Sequence, residues 1–315
     1  MSHFIAIEIG GTKLQLFAGD DSGRIISRRK LAVQVEGGGE GIRRQIEAEL
    51  PRLMRAHDSK AVAVGFGGPV DWRAGRVARS HQIEGWSGFD LASWLHGLSG
   101  LPVVVENDAN SAALGEALRG AGLGFDPVFY VTLGSGVGGG LVLGGAIYHG
   151  APPGEAEIGH VRLDRQGTIL ESRCSGWAVD AKIRALKTAE PDSALSRRLG
   201  EDTGAEAAYL PAALAQGDAA AERILRETAE DLAFGLSHVV HLCHPEVIIM
   251  GGGLSGVGEP LRAAVAQALP PFLMEVFRPG PRITLAALGE DAVPVGALEL
   301  ARRLVCVSRS GVKRR

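Results

Sequence analysis

Cysteine is scarce in this 315-residue chain, and Cys174, Cys243 and Cys306 stand far apart with no metal-site spacing. A sparse, odd count excludes a disulfide scaffold and fits a reducing compartment. No apolar run reaches the ~18 residues that a membrane helix needs. The N-terminus passes straight into a strand pattern, without the basic region and apolar core of a secretory signal. A cytoplasmic protein with no membrane partner is therefore expected. An excess of one charge is also lacking. The 33 Lys and Arg against 36 Asp and Glu leave a net charge of −3, which argues against a nucleic-acid surface. The basic cluster from Arg309 to Arg315 reads as a frayed tail. The length suggests about two domains at roughly 150 residues each. A chain of this size buries ~75% of its unfolded surface and needs no disulfides.

Glycine is abundant: 45 residues, about twice the usual ~7%. It gathers in two places where an apolar run breaks and resumes. The first is Ile5-Ala6-Ile7-Glu8-Ile9-Gly10-Gly11-Thr12-Lys13-Leu14. The second is Val131-Thr132-Leu133-Gly134-Ser135-Gly136-Val137-Gly138-Gly139-Gly140, with the strand expected to resume at Leu141. Glycine admits positive φ and close ligand approach, and successive N–H groups in such turns form concavities for phosphate oxygens. Two such turns suggest a nucleotide held between two lobes. Neither is a P-loop, because Gly11-Thr12-Lys13 lacks the earlier spaced glycine. Gly134, Gly136 and Gly139 match the dinucleotide spacing, but a β-type run follows them where a helix is required.

Along the chain, Phe4 to Ile9, Leu14 to Ala18 and Ile25 to Val35 read as a three-stranded antiparallel meander. Ile42, Ile46, Leu50 and Leu53 follow at helical spacing, with Pro51 expected to kink or split that helix. Buried strands are expected at Ala61 to Phe66, at Val103 to Val105 and at Val247 to Met250. Helices are expected at Ala109 to Arg119, with Asn107 or Asp108 as N-cap, at Ser175 to Thr188 and at Ala219 to Leu242. The last carries Ile224, Thr228, Leu232, Leu236 and Val239 on one face. A final helix spans Pro294 to Val307. The expected division is 1–119 plus 294–315 in one lobe and 120–293 in the other.

Asp108 lies at a strand end before a helix, where open α/β sheets place ligands. It either caps the helix or accepts a proton from a substrate hydroxyl. Asn107 offers the donor and acceptor that a sugar hydroxyl requires. Glu157, His160 and Glu171 supply acceptors and one switchable group. They suit a polyol, or they decorate a solvated loop, and with no cysteine nearby before Cys174 they do not make a closed zinc site. Trp72 and Trp86 either stack on a sugar face or pack in the core. Cys174 has no nucleophile motif around it and reads as buried.

The ordered segments Ile7 to Lys13, Val105-Glu106-Asn107-Asp108-Ala109-Asn110 to Glu116, Thr132 to Gly140, Glu157-Ile158-Gly159-His160 and Ile249-Met250-Gly251-Gly252-Gly253 resemble the ROK family (repressors, open reading frames and sugar kinases) over nearly the whole chain. The resemblance implies an α/β, two-lobed, actin-like ATPase fold of ribonuclease-H type, with the active-site cleft between the lobes. It implies transfer of the ATP γ-phosphoryl group, with Mg²⁺, to a hexose or N-acetylhexosamine at the 6-hydroxyl. Asp108 resembles the general base. Gly68, Gln82, Asn107, Glu157, His160 and Glu171 match sugar-binding positions. Gly10, Gly11, Thr12 and Lys13 match the first phosphate turn, and Thr132, Gly134, Ser135 and Gly136 the second. Gly251 and Gly252 fall where adenosine packs. Glu8 stands where the family has an Asp that meets Mg²⁺ through water. A small-molecule sugar partner and a homodimer are implied.

The pattern is departed from in three places. Glu8 is one methylene longer than Asp. Val161 to Ile169 lacks the family's cysteine-rich zinc motif, so no structural zinc is expected and something else must orient His160. Gln82 replaces an Asn near the sugar. These departures leave room for a catalytically weak sugar-binding or sensor protein as an alternative. A DNA-binding repressor would need an N-terminal helix-turn-helix for which no room is expected before Phe4. A polyphosphate donor would need a basic groove that the sequence does not display.

Overall fold

A computed structural model describes residues 2–11, 13–33, 37–80, 83–154, 156–200 and 204–310. Thr12, Gln82 and the end of the basic tail, Lys313 to Arg315, lie outside the described residues. In chain order the strands and α-helices are β1 (His3–Ile9), β2 (Lys13–Asp20), β3 (Ile25–Ala32), α1 (Gly38–Ala56), β4 (Ser59–Phe66), β5 (Val70–Asp71), β6 (Arg76–Val77), α2 (Leu91–Ser99), β7 (Val103–Asn107) and α3 (Asp108–Arg119). They continue with β8 (Val128–Leu133), β9 (Val137–Leu143), β10 (Ala146–Ile147), α4 (Glu171–Cys174), α5 (Gly176–Ala189), α6 (Leu210–Leu214), α7 (Ala219–Cys243), β11 (Val247–Gly251), α8 (Glu259–Ala268), β12 (Arg282–Leu285) and α9 (Ala292–Ser310).

The chain forms two compact units. The first comprises 1–120, 145–155 and 290–315, and the second 121–144 and 156–289. The expected division differs chiefly at 145–155. That segment joins the first unit because Arg303 donates to the Gly145 carbonyl at 2.9 Å and Asn110 Nδ2 donates to the Gly154 carbonyl at 3.1 Å.

The sheet of the first unit runs β3-β2-β1-β4-β7. β1, β2 and β3 are antiparallel neighbours, whereas β1, β4 and β7 run parallel. Side chains alternate across the pleat, and here both faces are covered. Ile5, Ile7, Ile9, Val62, Val64 and Phe66 join a core with Ile42, Ile46 and Leu50 of α1 and Leu91 and Leu95 of α2. Phe4, Ala6, Ala61 and Ala63 face Ala297, Leu298 and Ala301 of α9. The alanines keep that face thin, so the helix approaches closely. α9 lies directly against α3: a Cβ at Gly296 would overlap the Ser111 carbonyl, and one at Gly115 the Ala292 carbonyl.

Within the second unit the strands run β9-β8-β11-β12, with β8–β9 antiparallel and β8, β11 and β12 parallel. Phe129, Val131, Leu133, Ile248 and Met250 pack with Val179 and Ile183 of α5, Leu261 and Val265 of α8, and Ile224, Leu232 and Leu236 of α7. The expected face of α7 is buried throughout, including Thr228 and Val239.

Two local expectations are corrected. α1 continues through Pro51. The backbone bond that Pro51 cannot make would go to Glu47, which lies on the exposed face where water can take its place. Gly138 to Gly140 belong to β9 and not to a turn. Glycine is required there because a Cβ at Gly139 would lie 2.8 Å from the Ala156 carbonyl and 3.0 Å from the Phe129 ring.

Candidate active site

In the first unit, Ile9 is level with Phe66, and Phe66 with Asn107, across the parallel strands. The next residues, Gly10, Gly67 and Asp108, therefore emerge side by side at the carboxyl edge of the sheet, where α/β proteins place ligands. Gly67 donates to the Ile9 carbonyl at 2.8 Å. A Cβ on Gly67 would sit 3.4 Å from Asp108 Oδ2 and 3.5 Å from the Gly10 Cα, so glycine lets these segments meet. A small cavity lined by Ile9, Gly10, Gly11, Phe66, Gly67, Ser80, Ile83 and Trp86 lies beside them.

Asn107 takes the capping role. Its Oδ1 accepts from Asn110 N at 3.0 Å, and its Nδ2 donates to the Gly68 carbonyl at 3.2 Å. Asp108 is left in the first turn of α3, half-buried, with Oδ1 accepting from Ala109 N at 2.8 Å.

Gly10 closes the first glycine turn by donating to the Lys13 carbonyl at 3.0 Å. Lys13 Nζ lies 3.1 Å from Glu8 Oε1, and Gln15 Nε2 donates to Glu8 Oε2 at 3.0 Å. Burial pushes the Glu8 carboxyl up, against the opposing pull of Lys13 and Gln15. Both Glu8 oxygens are thus engaged within the chain. Among the described residues no group of three or more His, Cys, Asp or Glu is placed to hold a metal ion. One carboxylate suffices for Mg²⁺, which usually keeps several waters and rides on substrate phosphates. With both oxygens already engaged, Glu8 would meet such an ion only through water.

In the second unit, Thr132 is level with Gly251. The turn Gly134–Gly136 is closed by Gly134 N donating to the Gly136 carbonyl at 2.9 Å. Two further bonds fix it. Gly176 N at the start of α5 donates to the Gly134 carbonyl at 2.7 Å, and Val137 N donates to Glu171 Oε2 at 2.8 Å. A Cβ at Gly136 would overlap the Glu171 carboxylate. Gly252 is at φ +80°, where a Cβ would lie 2.6 Å from the Leu133 backbone. By contrast, a Cβ at Gly253 would meet nothing within 4 Å. At Gly134 it would meet only the Gly136 carbonyl, at 4.0 Å. The backbone at Gly134 and Gly253 is not covered by neighbouring side chains.

Glu157 and His160 flank the short 3₁₀ turn Ile158–His160, both exposed. Gly159 brings this turn against Val137, whose carbonyl a Cβ would overlap. Val137 thus meets both segments, its N–H donating to Glu171 and its carbonyl lying against Gly159. The cysteine-free segment after His160 closes on itself as a small hairpin. Leu163 N donates to the Thr168 carbonyl at 2.8 Å, Leu170 N to the Val161 carbonyl at 2.9 Å, and Asp164 Oδ1 accepts from Gly167 N and Thr168 N. Fully buried Leu170 pins that hairpin, in space left by Gly235. This hairpin fixes the chain that follows His160.

Comparison with known proteins adds to this geometry. The sequence profile of the ROK family matches residues 4–304. This chain belongs to the ROK family. It is 33% identical to a glucokinase of Streptomyces coelicolor, over 95% of this chain and 97% of that one. It is 29% identical to a glucokinase of Thermotoga maritima, over 96% and 98%. A crystal structure of a ROK glucokinase from Streptomyces griseus, in complex with glucose and AMPPNP, is similar with a TM-score of 0.84 and 35% identity, covering 96% of this chain and 100% of that one. This ROK protein therefore has the actin-like ATPase fold.

Sequence reasoning passed over Glu106 and His149. Glu106, 2% exposed, accepts through Oε1 from Asn107 N at 2.9 Å and Asn110 Nδ2 at 3.0 Å. Its Oε2 lies 2.6 Å from His149 Nε2. Trp72 stacks on His149, with ring centroids 4.1 Å apart. Trp86 is buried against Phe66 and Phe89. The available signal was a carboxylate ending the apolar run Val103-Val104-Val105, since an unpaired buried charge is costly and implies partners. Cys174 is buried, its thiol pushed up to about 12 mainly by burial, so it is no nucleophile at neutral pH.

Proposed function

We propose that this ROK protein is an ATP-dependent sugar kinase that phosphorylates a hexose at its 6-hydroxyl, with D-glucose the first candidate and Asp108 the general base. The observation that carries this reading is the placement of Asp108. A half-buried carboxylate stands in the first turn of α3, at the carboxyl edge of parallel strands, with Oδ2 facing Gly67. From there it accepts the proton of an attacking hydroxyl, while Asn107 and Gly68 supply polar groups to the sugar. Glu157, His160 and Glu171 contribute further sugar contacts, and the Gly10–Lys13 and Thr132–Gly136 turns with Gly251 and Gly252 receive ATP. Glucokinase relatives whose lengths this chain matches support both the reaction and the sugar. Mg²⁺ bound on the phosphates would neutralise charge as the phosphoryl group transfers. Everything else asked of the chain is positioning, donation of backbone N–H groups and removal of one proton.

A second reading, a sugar binder of weak activity, is favoured by one observation. Lys13 is paired with Glu8, so its charge is partly spent before any phosphate arrives.

The test measures ADP release with Mg-ATP across aldohexoses, ketohexoses and N-acetylhexosamines. A single preferred sugar, with 6-phosphorylated product, is expected. Absence of turnover with every sugar, while one of them still raises the melting temperature, would replace the first reading by the second.

A further inference from the structure

Glu106 and His149 form a buried pair whose placement asks for a purpose. A carboxylate 2% exposed at the end of a valine strand would be costly if unpaired. It is fully engaged. Oε1 holds Asn107 N and Asn110 Nδ2, the two residues that bracket Asp108. Oε2 holds His149 Nε2, which donates to it at 2.6 Å. His149 is in turn fixed by stacking on Trp72, the planes inclined by 17°. Arg73 covers the Trp72 ring at 5.1 Å. Asn110, with no exposed surface, reaches on to the Gly154 carbonyl at 3.1 Å. A Cβ at Gly154 would overlap the His149 carbonyl, so the segment folds tightly back on itself.

One carboxylate thus ties three things together: the junction of β7 and α3, the segment 145–154, and the Trp72 hairpin between β5 and β6. All lie in the first unit. The segment 145–154 leads directly toward Glu157 and His160 in sequence.

We propose that Glu106 and His149 act as a positioning pair, locking the first turn of α3 and the segment 145–154 so that Asp108 is held ready to take the hydroxyl proton. The proposal rests on the kinase reading for its effect on rate but not for its structural content. Neither residue is proposed to touch substrate. They act through Asn107, Asn110 and the backbone. Small displacements of a reacting group are costly in rate, which is why a pair remote from the chemistry matters.

Wild type is compared with His149→Phe, Glu106→Gln and the double variant. Phe keeps a ring on Trp72 but loses Nε2. Gln keeps an acceptor for Asn107 N and Asn110 Nδ2 but loses the charge. Two measurements are made on each protein: hydrogen–deuterium exchange over 145–154 and the start of α3, and kcat with KM for the preferred sugar and for Mg-ATP. His149→Phe is expected to speed exchange in both segments and to lower kcat at least about tenfold, with KM for Mg-ATP within about twofold of wild type. Glu106→Gln is expected to lose less. The double variant is expected to fall within about twofold of His149→Phe, because members of one network are not additive.

Unchanged exchange in both segments overturns the proposal. So does a kcat loss that matches loss of folded protein, or losses that simply multiply in the double variant. If wild type phosphorylates no sugar, the kinase reading fails on its own, and the exchange measurement still decides whether the pair locks the two segments.

Discussion

The two units are built on one plan and used differently. Each has a central first strand (β1, β8) with an antiparallel partner (β2, β9) joined to it by a glycine turn, and two parallel strands on the other side (β4 and β7, β11 and β12). In each, the first strand runs into a glycine at its carboxyl end, Gly10 or Gly134, and its parallel neighbour ends near the same edge, with Phe66 level with Ile9 and Gly251 level with Thr132. The difference lies in the third parallel strand. β7 delivers Asn107 and Asp108 to a helix start, whereas β12 ends at Leu285 and is followed by Ala286, with no carboxylate at that place. The shared frame supplies anion-sized backbone turns. Only the first unit has a carboxylate, Asp108, at this place, and it is the residue proposed as base. Phosphoryl transfer asks for that asymmetry, because its burden is positioning and charge, with one proton to remove.

The comparison is broken most completely at Asp108. Asp108→Asn keeps an acceptor for Ala109 N and so keeps the helix start, but it takes away the carboxylate proposed as the base. Turnover is expected to fall roughly 10³-fold, within the range of general-base contributions, with an unchanged melting temperature. A variant that keeps turnover within about tenfold of wild type would remove the base assignment.

Next in size is the helix contact peculiar to the first unit. Gly296→Ala would force a methyl into the Ser111 carbonyl of α3. Overpacking of this kind costs about 1–3 kcal/mol, read as a lower melting temperature. The control is Gly97→Ala in α2, where a Cβ meets nothing within 4 Å. That change is expected to be neutral or to stabilise by up to about 1 kcal/mol. Equal losses in both variants would mean that the α3–α9 approach is not what requires glycine.

A third experiment sharpens the role of the second glycine turn. Resemblance gives Glu171 to the sugar, while the geometry has it accepting from Val137 N at the exit of the turn. Glu171→Ala would leave that N–H without its acceptor, at a cost of about 1–3 kcal/mol. A rise in KM for Mg-ATP of about tenfold is expected, with Glu171→Gln largely sparing it because Gln still accepts from Val137. A change confined to the sugar KM would return Glu171 to the sugar alone.

Much of this was legible in the sequence. Short apolar runs ending in glycine marked β1, β4 and β11, and the 3.6-residue period marked α7 with its buried face. Glycine between apolar runs marked both turns, and Asn107-Asp108 after a valine run marked the helix start. What was not legible depended on contacts distant in sequence. Gly138 to Gly140 look like turn residues, yet they pair with Thr132, Val131 and Tyr130 in β9, and at Gly139 the Ala156 carbonyl and the Phe129 ring leave no room for a side chain. Nothing near Glu106 announces His149, which is 43 residues away in sequence. The membership of 145–155 was hidden for the same reason: its bonds go to Asn110 and Arg303.

The smallest expected effect belongs to the second unit alone. Cys174 lies in its core, its thiol donating to the Thr228 carbonyl at 3.6 Å, and burial raises its pKa from the ordinary 9.0 to about 12. Below pH 9 the thiol is neutral in both folded and unfolded chains, and the full stability is present. Above it the unfolded chain loses the proton while the folded one retains it, so stability declines as pH rises toward 12. The slope is at most ~1.4 kcal/mol per pH unit for one group. Cys174→Val removes this sensitivity while filling similar space. Chemical denaturation at pH 8 and pH 10 should show wild type losing more stability than the variant over that interval, and equal losses would mean that the thiol is not held neutral in the core. Within the same series, thiol-modifying reagent should leave Cys174 unreacted at pH 8 in the folded protein, because the reactive thiolate is suppressed and the sulfur has no exposed surface.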